Sequence, residues 1–350
     1  MSLASLAQTL LSLLPPETAH RAAIVGLRLA PPKSAPLADP KLRTTVAGLS
    51  FPNPLGLAAG FDKNAEVSGP ILGLGFGFVE VGTLTPRPQP GNPGPRLFRL
   101  PEDGAVINRY GFNNEGFDVA LKRLQGRRAG LVGVNVGANK DSPNRVKDYV
   151  LGIRTFAEVA DYFTINVSSP NTPALRELQG RAALDGLLAA TLAARDDVAP
   201  RKPVFLKIAP DLDEGGLDDI LEVSTARKID ALIIANTTVS RPASLKSVHR
   251  HEMGGLSGRP LFEPSTQLLA RAYRKTRGAL PLIGCGGIED VSSALTKIEA
   301  GASLIQLYTS LALKGPDVVA EILSGLARAV DAARGSDIAT LVGRQADVWG

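Results

Sequence analysis

Residues 162–172 read YFTINVSSPNT. The first six are mostly apolar, aromatic or β-branched, which suits a strand buried on both faces rather than one alternating toward solvent. The next five are small and polar around a proline, so the strand ends in a turn that carries hydroxyls and amides. The same unit recurs along the chain. Comparable runs stand at 55–59 (LGLAA), 77–82 (GFVEVG), 131–136 (LVGVNV), 203–208 (PVFLKI), 231–235 (ALIIA), 281–285 (PLIGC) and 303–308 (SLIQLY), eight in all. Several gaps hold helical patterns, as at 181–195 and 316–334. Apolar runs alternating with helices predict parallel strands, and eight of them predict an α/β fold of the (β/α)8 TIM barrel type, spanning about 40–340. A doubly wound open sheet is the competitor. It calls for a G-x-G-x-x-G after its first strand, and neither GLGFG (73–77) nor GCGGI (284–288) fits that pattern and place.

Each run delivers glycine or polar residues at its carboxyl end: Ala59-Gly60-Phe61-Asp62-Lys63-Asn64, then Thr83, Asn135, Asn166, Lys207, Asn236-Thr237-Thr238, Gly284-Cys285-Gly286-Gly287 and Tyr308-Thr309. In a barrel these ends share one rim, where active sites lie. Any strand must end in something polar, but two lysines and four asparagines at apolar strand ends ask for a ligand. The glycines after the seventh run and Thr309 after the eighth expose backbone N–H groups, the usual phosphate cradle of such barrels. The ligand is then a phosphorylated substrate or a cofactor such as flavin mononucleotide (FMN). Lys207 suits the N1/O2 edge of a flavin, or alternatively a Schiff base. With a flavin as hydride acceptor, hydroxyls and amides need only position the substrate and move a proton.

The remaining features bound the reading. Apolar residues make up 44% of 350, enough for a sizeable core. Cys285 is the only cysteine, which excludes an internal disulfide, and the three histidines, His20, His249 and His251, make a metal site unexpected. The net charge is +5, yet no Lys/Arg run interleaved with aromatics suggests nucleic acid. No run of about 18 apolar residues could span a bilayer, and no signal peptide is read at the N-terminus. Residues 1–35 form a separate unit: two helical patterns divided by Pro15-Pro16, then a proline-rich linker at Pro31-Pro32 and Pro36. They read either as a hairpin packed on the barrel or as amphipathic helices that rest on a membrane or line an entrance for an apolar ligand. Residues 84–117 read as a long Pro/Gly-rich loop, and its Arg96, Phe98, Arg99 and Tyr110 argue against disorder.

Seven blocks, AAGFDKN (58–64), EVGT (80–83), NRYGFNN (108–114), INVSSPNTPALR (165–176), ANTT (235–238), GGLSGRPL (254–261) and GCGGI (284–288), resemble dihydroorotate dehydrogenase. The resemblance runs from about residue 15 to about 335. It is closest to the membrane-associated, quinone-using class 2, because the soluble classes carry a cysteine base where this chain has Ser169. It implies one FMN per chain, oxidation of (S)-dihydroorotate to orotate in pyrimidine (UMP) synthesis, and electron transfer to a membrane quinone.

The same resemblance implies roles for residues. Ser169 is the base, Thr172 its relay partner and Phe112 the shield of that proton path. Lys63, Asn108, Asn166, Asn171, Asn236 and Thr237 hold the substrate, and Arg109, Tyr110 and Gly111 join them from the same block without individual roles. FMN is expected against Ala59, Gly60, Phe61, Asp62, Lys63, Thr83, Asn135, Asn166, Lys207, Ala235, Gly258, Gly287, Tyr308 and Thr309. The quinone is expected against His20, Arg99 and Tyr308, although His20 also reads as a core histidine on an apolar helix face. The expected protein is a monomer, attached peripherally through its N-terminal helices to the cytoplasmic side of a bacterial inner membrane. Cys285 departs from the family pattern and is read as a buried packing residue.

Overall fold

The computed structural model describes residues 3–31, 39–126, 130–172, 174–199 and 201–350, with side chains from residue 8 onward. The centre of the expected linker, at Pro32 and Pro36, lies outside the described residues. Eight parallel strands close a barrel: β1 (Leu55–Leu57), β2 (Phe78–Leu84), β3 (Leu131–Val136), β4 (Tyr162–Asn166), β5 (Val204–Ile208), β6 (Ala231–Ile234), β7 (Leu282–Cys285) and β8 (Leu304–Leu307). They follow in sequence order around the ring, and Ile305 pairs with Leu55 to close it. The helices expected at 181–195 and 316–334 span Arg181–Val198 and Asp317–Ala332. Leu184, Leu187 and Leu188 on one, and Val319, Ile322 and Leu326 on the other, turn a helical stripe onto the sheet.

The barrel interior is a packed core. At its amino end Phe51, Phe78, Tyr162 and Phe205 form a plug, with the Tyr162 and Phe205 rings stacked 4.5 Å apart. Phe51 comes from an antiparallel hairpin, Thr44–Val46 and Leu49–Phe51, that caps this end and that the sequence reading did not anticipate. Gly56 and Gly133 make room for the plug, since a Cβ there would lie 2.3 Å from the Phe78 ring and 2.1 Å from the Tyr162 ring.

The carboxyl end differs from expectation in one respect. The insertion at 84–117 is not simply coil. It contains a hairpin, Leu97–Leu100 and Ala105–Asn108, whose second strand also pairs with Gly255–Gly258. Its alternation is too short to stand out among the prolines, and its third strand comes from about 150 residues away. The hairpin carries the N-terminal unit: α1 (Leu3–Ser12) and α2 (Pro16–Leu29). The Arg99 guanidinium donates to the carbonyls of Ser12 (2.9 Å) and Leu14 (2.8 Å) at the end of α1. Glu17 pairs with Arg96 at 3.0 Å and Arg21 with Glu66 at 2.7 Å, while Ala19 and Ile24 are buried. Leu13 and Leu29 stay exposed, at 78% and 76%. Among the described residues no helix is long and apolar enough to cross a membrane.

Candidate active site

The rim and the helical pair enclose one continuous cavity of about 1490 Å³. That exceeds the several hundred Å³ of a pocket for one small molecule. Its outer end is lined by Leu11, Leu14, Ala19, Ala23 and Leu27 of the helical pair, and its inner end by Asn166, Lys207 and Asn236.

At the β1 end, Lys63 Nζ donates to His20 Nε2 at 3.2 Å and lies 4.2 Å above the Tyr110 ring. Burial, the largest cause, brings the Lys63 ammonium from 10.5 down to about 8; Arg96 adds to this and Glu17 opposes it. Burial first, then the charges of Lys63 and Arg21, hold His20 down to about 2, so its ring is neutral. With Nε2 accepting, the ring proton sits on Nδ1. Phe61 packs edge-on against both His20 (5.3 Å) and Tyr308 (5.7 Å). Neither Lys63 nor Lys207 has an ion-pair partner among the described residues, though Lys207 is only 5% exposed.

The β4 end and the loop after it form a polar floor. Asn166 Nδ2 donates to Thr83 Oγ1 at 2.8 Å, and its Oδ1 accepts from Ser168 Oγ at 3.0 Å. Asn236 Nδ2 donates to Ser168 Oγ at 2.9 Å, and Asn171 Nδ2 to the Asn108 carbonyl at 3.1 Å. Ser169 lines the cavity, and its Oγ accepts from the Asn171 N–H at 3.2 Å. Phe112 adopts a φ of +56°, which bulky side chains seldom occupy, and its ring lies against Gly137. At the far end, Gly258 (φ +93°) and Gly287 (φ +74°) line the wall with Tyr308 and Thr309. A Cβ on Gly287 would sit 2.4 Å from the Cβ of Phe262.

The cavity thus gathers residues from the three expected sets. Ala59, Gly60, Phe61, Thr83 and Ala235 line it, as do Asn108, Tyr110, Gly111, Phe112, Asn171 and Thr237, and as do His20 and Arg99. Four expected residues are not brought to its wall. Asp62 is buried, and its carboxylate accepts the N–H groups of Glu66 (2.7 Å) and Val67 (2.9 Å). Asn135 lies fully buried behind Thr83 and Asn166. Arg109 turns away to Glu252 at 2.8 Å and stacks over Phe98. Thr172 is buried with an unpartnered Oγ1, and no hydrogen bond joins it to Ser169. Cys285, read as a buried packing residue, instead stands half-buried on the cavity wall.

Sequence reasoning missed Gln306, Ser310, Asn113 and Glu80. Gln306 Oε1, Ser310 Oγ, Asn113 Oδ1 and Tyr110 OH are buried without hydrogen-bond partners, and all four residues line the cavity. Buried polar atoms are nearly always paired, so these mark where a ligand's polar atoms belong. The signal for Glu80 and Gln306 was present: each is a polar residue inside an otherwise apolar strand run.

Fold and cavity together define a (β/α)8-barrel enzyme that works at the carboxyl rim of its strands. The family model described as dihydroorotate dehydrogenase matches residues 41–330. The protein named dihydroorotate dehydrogenase (quinone) of Bradyrhizobium diazoefficiens is 59% identical over 315 residues, covering 88% of this chain and 86% of that one. The protein of the same name from Rhizobium rhizogenes is 54% identical, covering 97% of this chain and 95% of that one. The crystal structure of DHODH from Eimeria tenella in complex with ferulenol superposes with a TM-score of 0.90 at 40% identity, covering 95% of this chain and 96% of that one. The chain belongs to the dihydroorotate dehydrogenase family.

Proposed function

We propose that this enzyme oxidises (S)-dihydroorotate to orotate in pyrimidine (UMP) synthesis, with one FMN as hydride acceptor and a membrane quinone as final electron acceptor. The observation that carries this reading is one continuous cavity, which joins an apolar mouth under α1 and α2 to an inner end with orphaned polar atoms and ammonium groups that lack an ion-pair partner among the described residues. The names of the bacterial relatives agree with it.

FMN fits the inner end. Gly258, Gly287 and Thr309, with the orphaned Ser310 hydroxyl, offer an open polar wall for its phosphate, and Lys207 offers a buried cation for the ring edge. Bound there, the flavin supplies the two-electron chemistry that no side chain of this cavity can provide. Lys63 receives the substrate carboxylate, because it is an ammonium held beside a neutral imidazole and an aromatic face with no anion of its own. Asn108, Asn166, Asn171, Asn236 and Thr237 meet the pyrimidine ring, whose edge offers both donors and acceptors. Ser169 takes the ring proton. Its relay through Thr172 forms only once substrate draws the loop together, as catalytic hydrogen bonds often tighten on binding.

The quinone enters between the helical pair and the hairpin, against His20, Arg99 and Tyr308. Exposed Leu13, Leu14 and Leu29 lay this pair on the cytoplasmic face of a bacterial inner membrane, with the protein a peripheral monomer. Two measurements test the proposal. Purified protein shows visible flavin bands, and Ser169→Ala keeps them while dihydroorotate oxidation falls by about 10²-fold or more. A colourless protein, or full turnover in the variant, refutes it. The colourless result would favour the Schiff-base role for Lys207.

A further inference from the structure

Glu80 lies in the middle of β2, is 0% exposed and does not line the cavity. Four side chains on three other strands aim donors at it. Asn135 Nδ2 reaches Oε1 at 2.7 Å, while Thr164 Oγ1 and Gln306 Nε2 (both 3.0 Å) and Tyr162 OH (3.4 Å) reach Oε2. No cation forms an ion pair with it among the described residues.

Glu80 accepts at all four of these contacts, whereas an amide can face either way and is oriented solely by its partners. The acceptor-only group therefore dictates the rest of the chain of bonds. Asn135 must turn its NH2 to Glu80, which leaves Oδ1 to accept from Thr83 Oγ1 at 2.6 Å. Thr83 has then used its one proton, so it accepts from Asn166 Nδ2. That leaves Asn166 Oδ1 facing the rim, where it accepts from Ser168. On the other branch, Gln306 gives its NH2 to Glu80 and so presents an unpartnered Oε1.

We propose that Glu80, which reaches no ligand, is a positioning residue that sets the polarity of the amide floor, making Gln306 offer an acceptor and Asn166 offer its carbonyl toward Ser168. An acceptor at Gln306 calls for an N–H on the ligand, which an imide ring supplies. The ligand identities rest on the proposed function, but the polarity does not.

The experiment compares Glu80→Gln with the double variant Glu80→Gln/Asn135→Asp, both as FMN-loaded full chains. In the single variant, the amide introduced on β2 brings an NH2 of its own into a ring of donors, so one branch must invert. FMN retention on dilution, or orotate binding read from the visible band, should weaken by about 10-fold or more. In the double variant the carboxylate introduced on β3 becomes the acceptor-only group. It accepts from the new β2 amide and from Thr83, while the carbonyl of that amide accepts from Thr164, Gln306 and Tyr162. The polarity and the net charge are both restored, and most of the lost affinity should return.

Affinity unchanged in the single variant, or equally weak in both, overturns the proposal. If neither variant folds, neutron diffraction of the wild-type holoenzyme decides. Amide deuterons of Asn135 and Gln306 pointing at Glu80 support it, and the reverse orientation or a proton on Glu80 overturns it. Wild-type protein that retains no FMN would instead count against the proposed function.

Discussion

Lys63→Met removes a rim ammonium that bonds His20 of the helical pair and lines the cavity. The fall of the Lys63 pKa from 10.5 to about 8 corresponds to roughly 3 kcal/mol withheld from the charged form. A carboxylate that pairs with the ammonium can return up to that amount. Lys63 is only partly buried, so cavity water screens some of it, and the expected gain in orotate affinity lies between about 10- and 100-fold. The sign follows from the direction of the shift. Below about pH 7 the free site is already protonated and orotate affinity is flat. Above about pH 8 the free site loses its proton, and the dissociation constant rises toward tenfold per pH unit until the complex itself titrates. His20 is held down to about 2 and the Tyr110 hydroxyl is pushed up by burial, so neither titrates in this window. Titrating orotate into the flavin-loaded protein, read at the visible band from about pH 6 to about pH 10, measures the profile. Lys63→Met should show the weak limit at every pH, and Lys63→Arg should keep the tight limit to higher pH. A wild-type profile that stays level across the range, or one that survives in Lys63→Met, refutes the assignment of Lys63 to the substrate carboxylate.

Deleting residues 1–30 should abolish quinone reduction while dihydroorotate still bleaches the flavin in a stopped-flow trace. Surviving quinone turnover would remove the helical pair from the oxidative half-reaction. Because His20 accepts from Lys63, the deletion and His20→Ala should also weaken orotate binding several-fold, whereas His20→Gln, which keeps an acceptor, should restore it. Gly287→Ala forces a Cβ against the Phe262 Cβ and N at a φ of +74°. Urea unfolding should show a loss of about 2 kcal/mol or more, and the purified variant should carry less flavin.

The barrel was legible because its signal is local. Each strand of a parallel barrel is buried on both faces, so a run such as LVGVNV announces itself without knowledge of its neighbours. The rim residues Lys63, Asn166, Lys207 and Asn236 were legible for the same reason, since a polar group closing an apolar run stands out. Three things were not. The hairpin within 84–117 needed Gly255–Gly258 from far along the chain to complete its sheet. The retirement of Asp62, Asn135 and Arg109 from the cavity wall depended on which backbone groups and carboxylates fold beside them. The contact between His20 and Lys63 joins an N-terminal helix to a rim loop 43 residues on.

Apolar period and strand-end chemistry determined the architecture and the rim from the chain alone, because both are set within a few neighbouring residues. Only the folded molecule decided which polar groups reach the cavity and which way each amide faces. A hydrogen bond is specified by a partner's position in space, and here the partners come from strands far apart in sequence.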